Sequence, residues 1–274
     1  MLHIIGIGAK KEHITNEQLT IIKNSSEVIL EYYTSFYENS FEELETLFGK
    51  KITIADRKFI EIEIEKKILE EAKNKEISLL VLGDPLIATT HTDLIIRARL
   101  LDVPTKIYHN VSIANAITDT GLQFYKFGKI TSIPFFNEKF MPRTPFLTFF
   151  DNHKMGAHTL FLLDLNPSND VAYKGKDKFL SASKAFQFLL DIPKLMVKEE
   201  ELEEKDSELI DETSHALICS RLGFSNQKIV YGTIADLIDE DKAEQFQAPV
   251  CIVIPGDLHE IEEEYLKQFE IKKN

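Results

Sequence analysis

Short apolar runs alternate along the first part of the chain with longer segments of helical periodicity. The apolar runs occupy 2–7, 28–33, 52–55, 79–82 and 105–108. The segments of helical character occupy 15–24, 40–48, 57–72 and 94–101. Unbroken apolar runs are typical of strands buried on both faces, and a repeated strand–helix–strand order indicates a mostly parallel sheet with right-handed crossovers. The pattern therefore predicts an α/β fold.

The segment 57–72 has two competing periods. Ile60, Ile62 and Ile64 alternate as they would in a strand, whereas Ile60, Ile64 and Ile68 form a helical stripe. The length of the segment and its many Glu and Lys residues favour a helix.

Several helices are expected to begin at a capping box, in which a hydroxyl residue is followed three positions later by a residue with a carboxyl or amide group. Three pairs have this spacing: Thr15 with Gln18, Ser40 with Glu43, and Thr90 with Asp93. Asn110 and Ser112 are further candidate caps. Each pair predicts a helix that starts directly after its first residue.

The second part of the chain repeats the alternation with a different composition. Strands are predicted at 159–165, 216–220, 228–231 and 250–254, and helices at 181–190 and 258–269. A polar loop is predicted at 166–178 and a solvated, Glu-rich connector at 198–211. We expect two domains, an N-terminal α/β domain at 1–111 and a C-terminal α/β domain at 112–274.

An unusual density of aromatic residues follows the predicted boundary. They are Phe124, Tyr125, Phe127, Phe135, Phe136, Phe140, Phe146, Phe149 and Phe150. Packing between domains or between subunits is the favoured interpretation of this segment, and a substrate surface is the alternative.

Composition excludes several classes of protein. The chain of 274 residues is 43% hydrophobic, which is enough for a full core, and its net charge of -13 argues against a broad basic face for nucleic acid. No signal peptide or run of about 20 apolar residues is present, so we expect a soluble, cytoplasmic protein without membrane contact. The spacing of His153 and His158 does not suit zinc, and no metal site is expected. Cys219 and Cys251 are predicted to be buried free thiols rather than a disulfide.

Asp84 is the leading candidate for a functional residue. Gly83, Asp84 and Pro85 come directly after the apolar run 79–82, so the carboxylate lies just past the end of a buried strand, where open α/β sheets bind ligands. An ordinary strand-to-helix turn is an equally good interpretation of this tripeptide alone. The Gly6-Ile7-Gly8 turn is a weak nucleotide-type signal and not a dinucleotide fingerprint, because Lys11 stands where the third glycine would be.

Three blocks of sequence, taken together, indicate the protein family. They are GDPLIATTHTDL at 83–94, HNVSIANA at 109–116 and TGLQFYKFG at 120–128, with support from HTLFLLD at 158–164 and PGDLHEIEEEYL at 255–266. In this order they closely resemble the diphthine synthase family, diphthine methyl ester synthases included, among the tetrapyrrole methylase-like methyltransferases. The resemblance extends from residue 1 to about residue 269. The first glycine motif departs from the family pattern, because Lys10 and Lys11 follow Ala9.

The resemblance implies a fold of two α/β domains of the tetrapyrrole-methylase type, with S-adenosylmethionine in the cleft between them, usually in a homodimer. It also implies the substrate, translation elongation factor 2 that carries a 3-amino-3-carboxypropyl group on one histidine. The amine of this group would become a trimethylammonium, and we expect the carboxylate to become a methyl ester.

The positions that match the family motifs are expected to contact the cofactor. They are Ala9, Asp84, Ile87, Ser112, Ile113, Leu163, Leu222 and His259. No catalytic acid or base can be named from the sequence. The alternatives are a methyltransferase of the same fold that acts on a tetrapyrrole or on ribosomal RNA, and a cofactor-binding protein without catalytic activity.

Overall fold

Five parallel strands form the sheet of the first part of the chain in the computed structural model, which describes residues 1–33, 35–166, 178–244 and 246–272. The strands are β1 Leu2–Gly6, β2 Glu27–Glu31, β3 Thr53–Ala55, β4 Ile77–Val81 and β5 Thr105–Tyr108. Their spatial order is β3-β2-β4-β1-β5, and each neighbouring pair is parallel. All residues of β1 and β4 are buried, as expected for the central strands of a sheet covered on both faces. The predicted parallel α/β sheet is confirmed.

Four of the five helices that follow these strands begin directly after a predicted cap residue, which is Thr15, Ser40, Thr90 or Ser112. The five helices are α1 Asn16–Asn24, α2 Phe41–Phe48, α3 Glu70–Ala72, α4 His91–Leu100 and α5 Ile113–Ala116. The capping boxes at Thr15 and Ser40 are both formed. The capping box at Thr90 is wrong, because the Thr90 side chain caps nothing. The Asp93 carboxylate instead lies 2.9 Å from Nε of Arg97, one turn further along α4.

The segment 57–72 is helical. It consists of two π-helical stretches, Phe59–Glu63 and Glu65–Leu69, which continue into α3. Ile60, Ile64 and Ile68 are buried, whereas Ile62 is 70% exposed. The helical stripe therefore describes this segment and the strand alternation does not.

A mixed sheet organises the second part of the chain. The remaining strands are β6 Thr131–Ile133, β7 Thr159–Leu163, β8 Leu165–Asn166, β9 Lys178–Phe179, β10 His215–Ser220, β11 Lys228–Thr233 and β12 Val250–Ile254. Five of them form a sheet of order β11-β10-β12-β7-β6, in which only β6 and β7 are parallel. β8 and β9 form a separate two-stranded sheet. Most of the predicted loop at 166–178 lies outside the described residues.

The helices of this part differ more from the sequence predictions. They are α6 Thr144–Lys154, α7 Ala182–Lys198, α8 Glu204–Ser207, α9 Ile234–Glu244 and α10 Glu260–Leu266. The apolar pattern assigns no element to α6 or α9, and it ends the helix of 181–190 too early, because α7 continues through Pro193 to Lys198. The predicted connector at 198–211 contains the short helix α8.

The chain folds into two compact units. The first unit comprises Met1–Ala116, Asn166–Lys178 and Gly223–Ser225, and the second comprises Ile117–Leu165, Phe179–Leu222 and Asn226–Asn274. The first unit thus runs a little beyond residue 111, the predicted boundary, and two later segments of the chain join it.

The aromatic segment is divided between the core and the surface of the second unit. Phe146 and Phe149 are buried in the core of that unit, so their interpretation as packing between domains or subunits is wrong. Phe124, Tyr125 and Phe140 are 51%, 81% and 52% exposed.

Cys219 and Cys251 are buried free thiols, as predicted, and they face each other in the register of β10 and β12. A hydrogen bond with Cys251 and burial raise the pKa of the Cys219 thiol. Among the described residues, no helix is both long and apolar enough to cross a membrane.

Candidate active site

Two loops meet at the carboxyl edge of the first sheet through a pair of glycines. The Gly8 N–H donates to the Gly83 carbonyl at 3.1 Å, and the Gly83 N–H donates to the Gly8 carbonyl at 2.9 Å. A side chain at Gly6 would place its Cβ 2.6 Å from the Gly83 carbonyl oxygen. The sequence has glycine at these positions because the loops that follow β1 and β4 approach each other at backbone distance.

Asp84 connects the loop after β4 to the loop after β5. Its side chain is buried, with one oxygen accepting the Leu86 N–H at 2.9 Å. The other oxygen accepts the Asn110 N–H at 3.0 Å and lies 2.9 Å from Nδ1 of His109. A buried carboxylate needs such donors, and here the donors come from both loops. Asp84 therefore fixes the shape of this edge of the sheet.

Asn110 connects the loop after β5 to the loop after β1. Its Nδ2 donates to the Gly6 carbonyl at 2.8 Å and to the His13 carbonyl at 3.0 Å, and its Oδ1 accepts the Val111 N–H at 2.7 Å. Asn110 is thus a link between loops and not the helix cap that the sequence suggests. Ser112 does act near the start of α5, because its hydroxyl accepts the Ala114 N–H at 3.3 Å.

The first unit brings five of the predicted cofactor residues to this one edge. They are Ala9, Asp84, Ile87, Ser112 and Ile113. The Ala9 N–H donates to Nδ1 of His13 at 3.2 Å, and burial together with Lys10 lowers the pKa of His13. Ile87 is 38% exposed although it follows a buried strand, so this edge offers an apolar surface beside polar groups.

The other three predicted residues lie in the second unit, and they follow opposite ends of the strands of its sheet. Leu163 ends β7, and Leu222 follows the end of β10, where the Arg221 N–H donates to the Pro249 carbonyl at 2.8 Å. β12 runs antiparallel to both strands, and its last residue, Ile254, lies opposite Thr159 at the start of β7. The chain that leads to His259 therefore leaves the sheet at the other end of these strands. The second unit therefore does not bring His259 together with Leu163 and Leu222.

His259 is held by a buried carboxylate. It is the N-cap of α10, where Oε2 of Glu262 accepts its N–H at 2.8 Å. Glu262 is fully buried and also accepts from Gln123 N–H at 2.8 Å, from Nε2 of His158 at 3.1 Å, and from Lys126. Burial acts to raise the pKa of Glu262, but these donors outweigh it and hold the pKa at about 2. Burial also lowers the pKa of His158.

Sequence reasoning missed a second buried pair, Glu31 and His91. Nε2 of His91 lies 2.6 Å from Oε2 of Glu31, and both side chains are almost fully buried. The only sequence signal is a Glu at the end of an apolar strand. Its partner is 60 residues away, and the strand order that joins them cannot be inferred from the sequence.

No metal cluster accompanies these groups. Within the described residues, no group of three or more His, Cys, Asp or Glu side chains is arranged to hold a metal ion. The carboxyl ends of the strands in the first sheet instead combine closely packed backbone loops, a buried carboxylate and partly exposed apolar side chains. This combination is suited to binding a small organic molecule.

Comparison with known proteins identifies the class. A family model described as Tetrapyrrole (Corrin/Porphyrin) Methylases matches residues 1–238. The fold and this match define an enzyme of the tetrapyrrole methylase class of methyltransferases.

Full-length relatives narrow the class further. The chain is 38% identical to a diphthine methyl ester synthase of Dictyostelium discoideum over 100% of both chains. It is also 38% identical to a diphthine synthase of Methanocaldococcus jannaschii, over 97% of this chain and 98% of the relative. A crystal structure from Entamoeba histolytica, described as a diphthine synthase, superimposes with a TM-score of 0.84 at 33% identity, covering 100% of this chain and 99% of the other. The chain belongs to the diphthine synthase family, as the sequence motifs predict.

Proposed function

We propose that this methyltransferase uses S-adenosylmethionine to methylate the 3-amino-3-carboxypropyl-histidine intermediate on translation elongation factor 2, as a step of diphthamide biosynthesis. The observation that carries the proposal is similarity along the whole chain to relatives that are named for diphthine or its methyl ester. We also propose that it acts in the cytoplasm, because translation factors work there, and that it forms a homodimer.

The residues at the carboxyl edge of the first unit suit the proposed cofactor. Ala9, Ile87 and Ile113 are small or apolar, which suits the faces of an adenine ring, while Ser112 supplies a hydroxyl. When bound, S-adenosylmethionine supplies an activated methyl group. Leu163, Leu222 and His259 of the second unit stay predicted contacts, and His259 follows the opposite end of that unit's strands from the other two.

The role proposed for Asp84 is to shape the binding loop. Each of its oxygens already accepts at least one hydrogen bond from the protein, so it holds the loops of Leu86 and Asn110 in place. We assign no general base, since the main tasks of the chain are to align the reacting groups and to exclude water. The substrate amine resembles a lysine amine, with an ordinary pKa of about 10, and burial would favour its reactive neutral form.

The experiment combines purified protein, methyl-labelled S-adenosylmethionine and elongation factor 2 that carries the precursor group. Label is expected in this substrate and not in elongation factor 2 with an unmodified histidine. Tetrapyrrole and ribosomal RNA serve as parallel substrates. Label in either of them, or in none of the substrates, would contradict the proposed function.

We further propose that the final product is the methyl ester. The Dictyostelium relative, which matches over 100% of both chains, is named a diphthine methyl ester synthase. Intact mass spectrometry of elongation factor 2 after exhaustive reaction should reveal three methyl groups on the amine and one more that alkali removes. A product that stops at the trimethylated amine would show that the reaction ends at diphthine.

A further inference from the structure

His91 sits between a backbone carbonyl and the carboxyl group of Glu31. Its Nδ1 lies 2.9 Å from the Pro85 carbonyl oxygen, and its Nε2 lies 2.6 Å from the Glu31 carboxylate. Pro85 belongs to the loop that carries Asp84 and Ile87, whereas Glu31 ends β2. The ring therefore fastens the loop after β4 to the neighbouring strand.

With Glu31 ionised, this arrangement requires hydrogen on both ring nitrogens, because a carbonyl and a carboxylate offer no proton in return. A neutral imidazole would turn one of its lone pairs toward an oxygen. Two features of its location disfavour a positive charge on the ring. His91 is only 2% exposed, and it is the first residue of α4, where the helix dipole is positive. The two acceptors have to overcome both effects.

The balance favours the charged ring. Burial acts to lower the pKa of His91, but the hydrogen bond and charge of Glu31, together with the Pro85 carbonyl, outweigh burial and raise the pKa above 6.5. A group whose pKa is raised on folding contributes stability that is complete below its unfolded pKa. That contribution is lost as the pH rises through the folded pKa.

We propose that His91 is a positioning residue, which as an imidazolium held by Glu31 keeps the loop of Pro85 in the shape that binds the cofactor. This inference rests on the proposed function, because that function makes the loop of Asp84 and Ile87 part of the cofactor site. His91 itself acts through the loop backbone.

Other charged groups near His91 lie on its own helix and beyond β2. Asp93 and Arg97 of α4 line, together with His91, a cavity of about 380 Å³. They lie close to each other, with Asp93 Oδ2 2.9 Å from Arg97 Nε. Arg57 lies over the ring of Tyr33, two residues after Glu31. Glu31 is the only one of these charged groups within hydrogen-bond distance of the His91 ring among the described contacts.

Glu31→Gln tests whether the two hydrogen bonds of His91 hold the loop when the ring carries only one proton. With Gln at position 31, a neutral His91 can still donate from Nδ1 to the Pro85 carbonyl while Nε2 accepts from the amide of the new side chain. The loop stays fastened without a charged ring. His91→Phe keeps a ring of similar shape and removes both hydrogen bonds.

The test measures binding of S-adenosylhomocysteine by calorimetry between pH 6.0 and pH 8.5. Wild-type affinity should fall roughly tenfold as the pH passes the His91 pKa, because the loop loses a hydrogen bond to a buried group. Glu31→Gln should vary less than twofold over the same range, and His91→Phe should bind roughly tenfold more weakly throughout. Equal pH dependence in the wild type and Glu31→Gln would overturn the proposal.

A second measurement does not depend on cofactor binding. NMR of labelled histidines should show both His91 nitrogens protonated at pH 6.0, and the hydrogen-exchange protection of Leu86 and Ile87 should fall with pH in the wild type but not in Glu31→Gln. A neutral His91 at pH 6.0 would overturn the proposal. If the protection changes as expected and no variant binds the cofactor, the proposed function fails and the role of His91 in holding the loop stands.

Discussion

Gly8 and Gly49 have the same left-handed backbone but different surroundings. Gly8 has φ +68°, and an added Cβ would lie 2.5 Å from Cβ of His13, whereas Gly49 has φ +65° and nothing within 4 Å of that position. Gly49→Ala should therefore lower the free energy of unfolding only by the backbone strain, about 1 kcal/mol. Gly8→Ala should cost at least about 2 kcal/mol more, because neither backbone nor side chain can move freely there. Urea unfolding of the two variants compares them, and equal losses would show that the loop after β1 is not tightly packed.

Asp84→Ala tests the carboxylate that joins two loops. The substitution leaves the N–H groups of Leu86 and Asn110 without their acceptor, so the free energy of unfolding should fall by about 1–3 kcal/mol. We also expect at least tenfold weaker binding of S-adenosylmethionine, because the loop changes shape.

Asp151→Ala is the matched control for Asp84→Ala. Asp151 is exposed and forms a surface ion pair with Lys129, which contributes little to stability. Calorimetry and thermal unfolding should find this control close to the wild type. Wild-type affinity in Asp84→Ala would remove Asp84 from the proposed site.

At the level of single residues, the sequence identified Asp84 but not its partners. A carboxylate after a buried apolar run and between Gly83 and Pro85 has a position that the local pattern predicts. His109 and Asn110 reach it only because β4 and β5 lie on either side of β1, and strand order is a property of the whole sheet. Glu31 and His91 meet for the same reason, since β2 lies next to β4.

At the level of elements, the two hydroxyl residues that precede α1 and α4 should behave differently. The Thr15 side chain accepts the Gln18 N–H at 3.2 Å, and Oε1 of Gln18 accepts the Thr15 N–H at 2.9 Å. Thr15→Ala should therefore lower the free energy of unfolding by about 1 kcal/mol. Thr90→Ala should change it by less than about 0.5 kcal/mol, because Thr90 makes no side-chain cap. Equal effects in thermal unfolding would contradict the assignment of the caps.

Glu262→Gln should loosen the start of α10. The new amide would face the donors Lys126 and the His259 N–H, so the free energy of unfolding should fall by about 2 kcal/mol at pH 7. The folded pKa of about 2 lies below the ordinary value of 4.5, so this stabilisation is complete above about pH 4.5 and is lost as the pH falls toward 2.

The wild type should accordingly lose stability between pH 4.5 and pH 2 more steeply than Glu262→Gln. Glu264→Gln is the control, because Glu264 lies on the same helix, is exposed and pairs only with Lys267 among the described ion pairs. Its acid unfolding curve should match that of the wild type. A Glu262→Gln curve as steep as the wild type would show that Glu262 does not carry this pH dependence.

The helices that the sequence missed have physical explanations. α6 carries local helix signals that the sequence prediction did not use, because Pro145 lies in its first turn and Phe146, Phe149 and Phe150 have helical spacing. α7 includes Pro193, which normally ends a helix, and it continues because its long apolar face is buried in the core of the second unit. Tertiary packing overrides the local signal in α7.

At the scale of the molecule, the two sheets differ in how far sequence could predict them. The first sheet is parallel throughout, and its strand–helix alternation indicates this from the pattern alone. The second sheet places β10, β12 and β7 side by side although β7 lies far from both in sequence. Apolar runs identify these strands but carry no information on their order or direction, so the separation of His259 from Leu163 and Leu222 could not be foreseen.

The proposed homodimer is a property of the whole molecule. The core of the second unit takes Phe146 and Phe149 but leaves Phe124, Tyr125 and Phe140 at least half exposed. Exposed aromatic residues concentrated in one segment are typical of an interface between subunits. Light scattering at micromolar concentration should therefore give twice the 31.5 kDa mass of the chain.

Substitutions in the aromatic segment locate the interface. Tyr125→Asp and Phe140→Asp together should shift the mass toward that of the monomer, because a buried unpaired charge opposes association. Ile62→Asp is the control, since Ile62 is 70% exposed and lies in the first unit outside this segment. It should leave the dimer intact. A wild-type monomer would reject the homodimer, and a dimer that survives the double substitution would place its interface elsewhere.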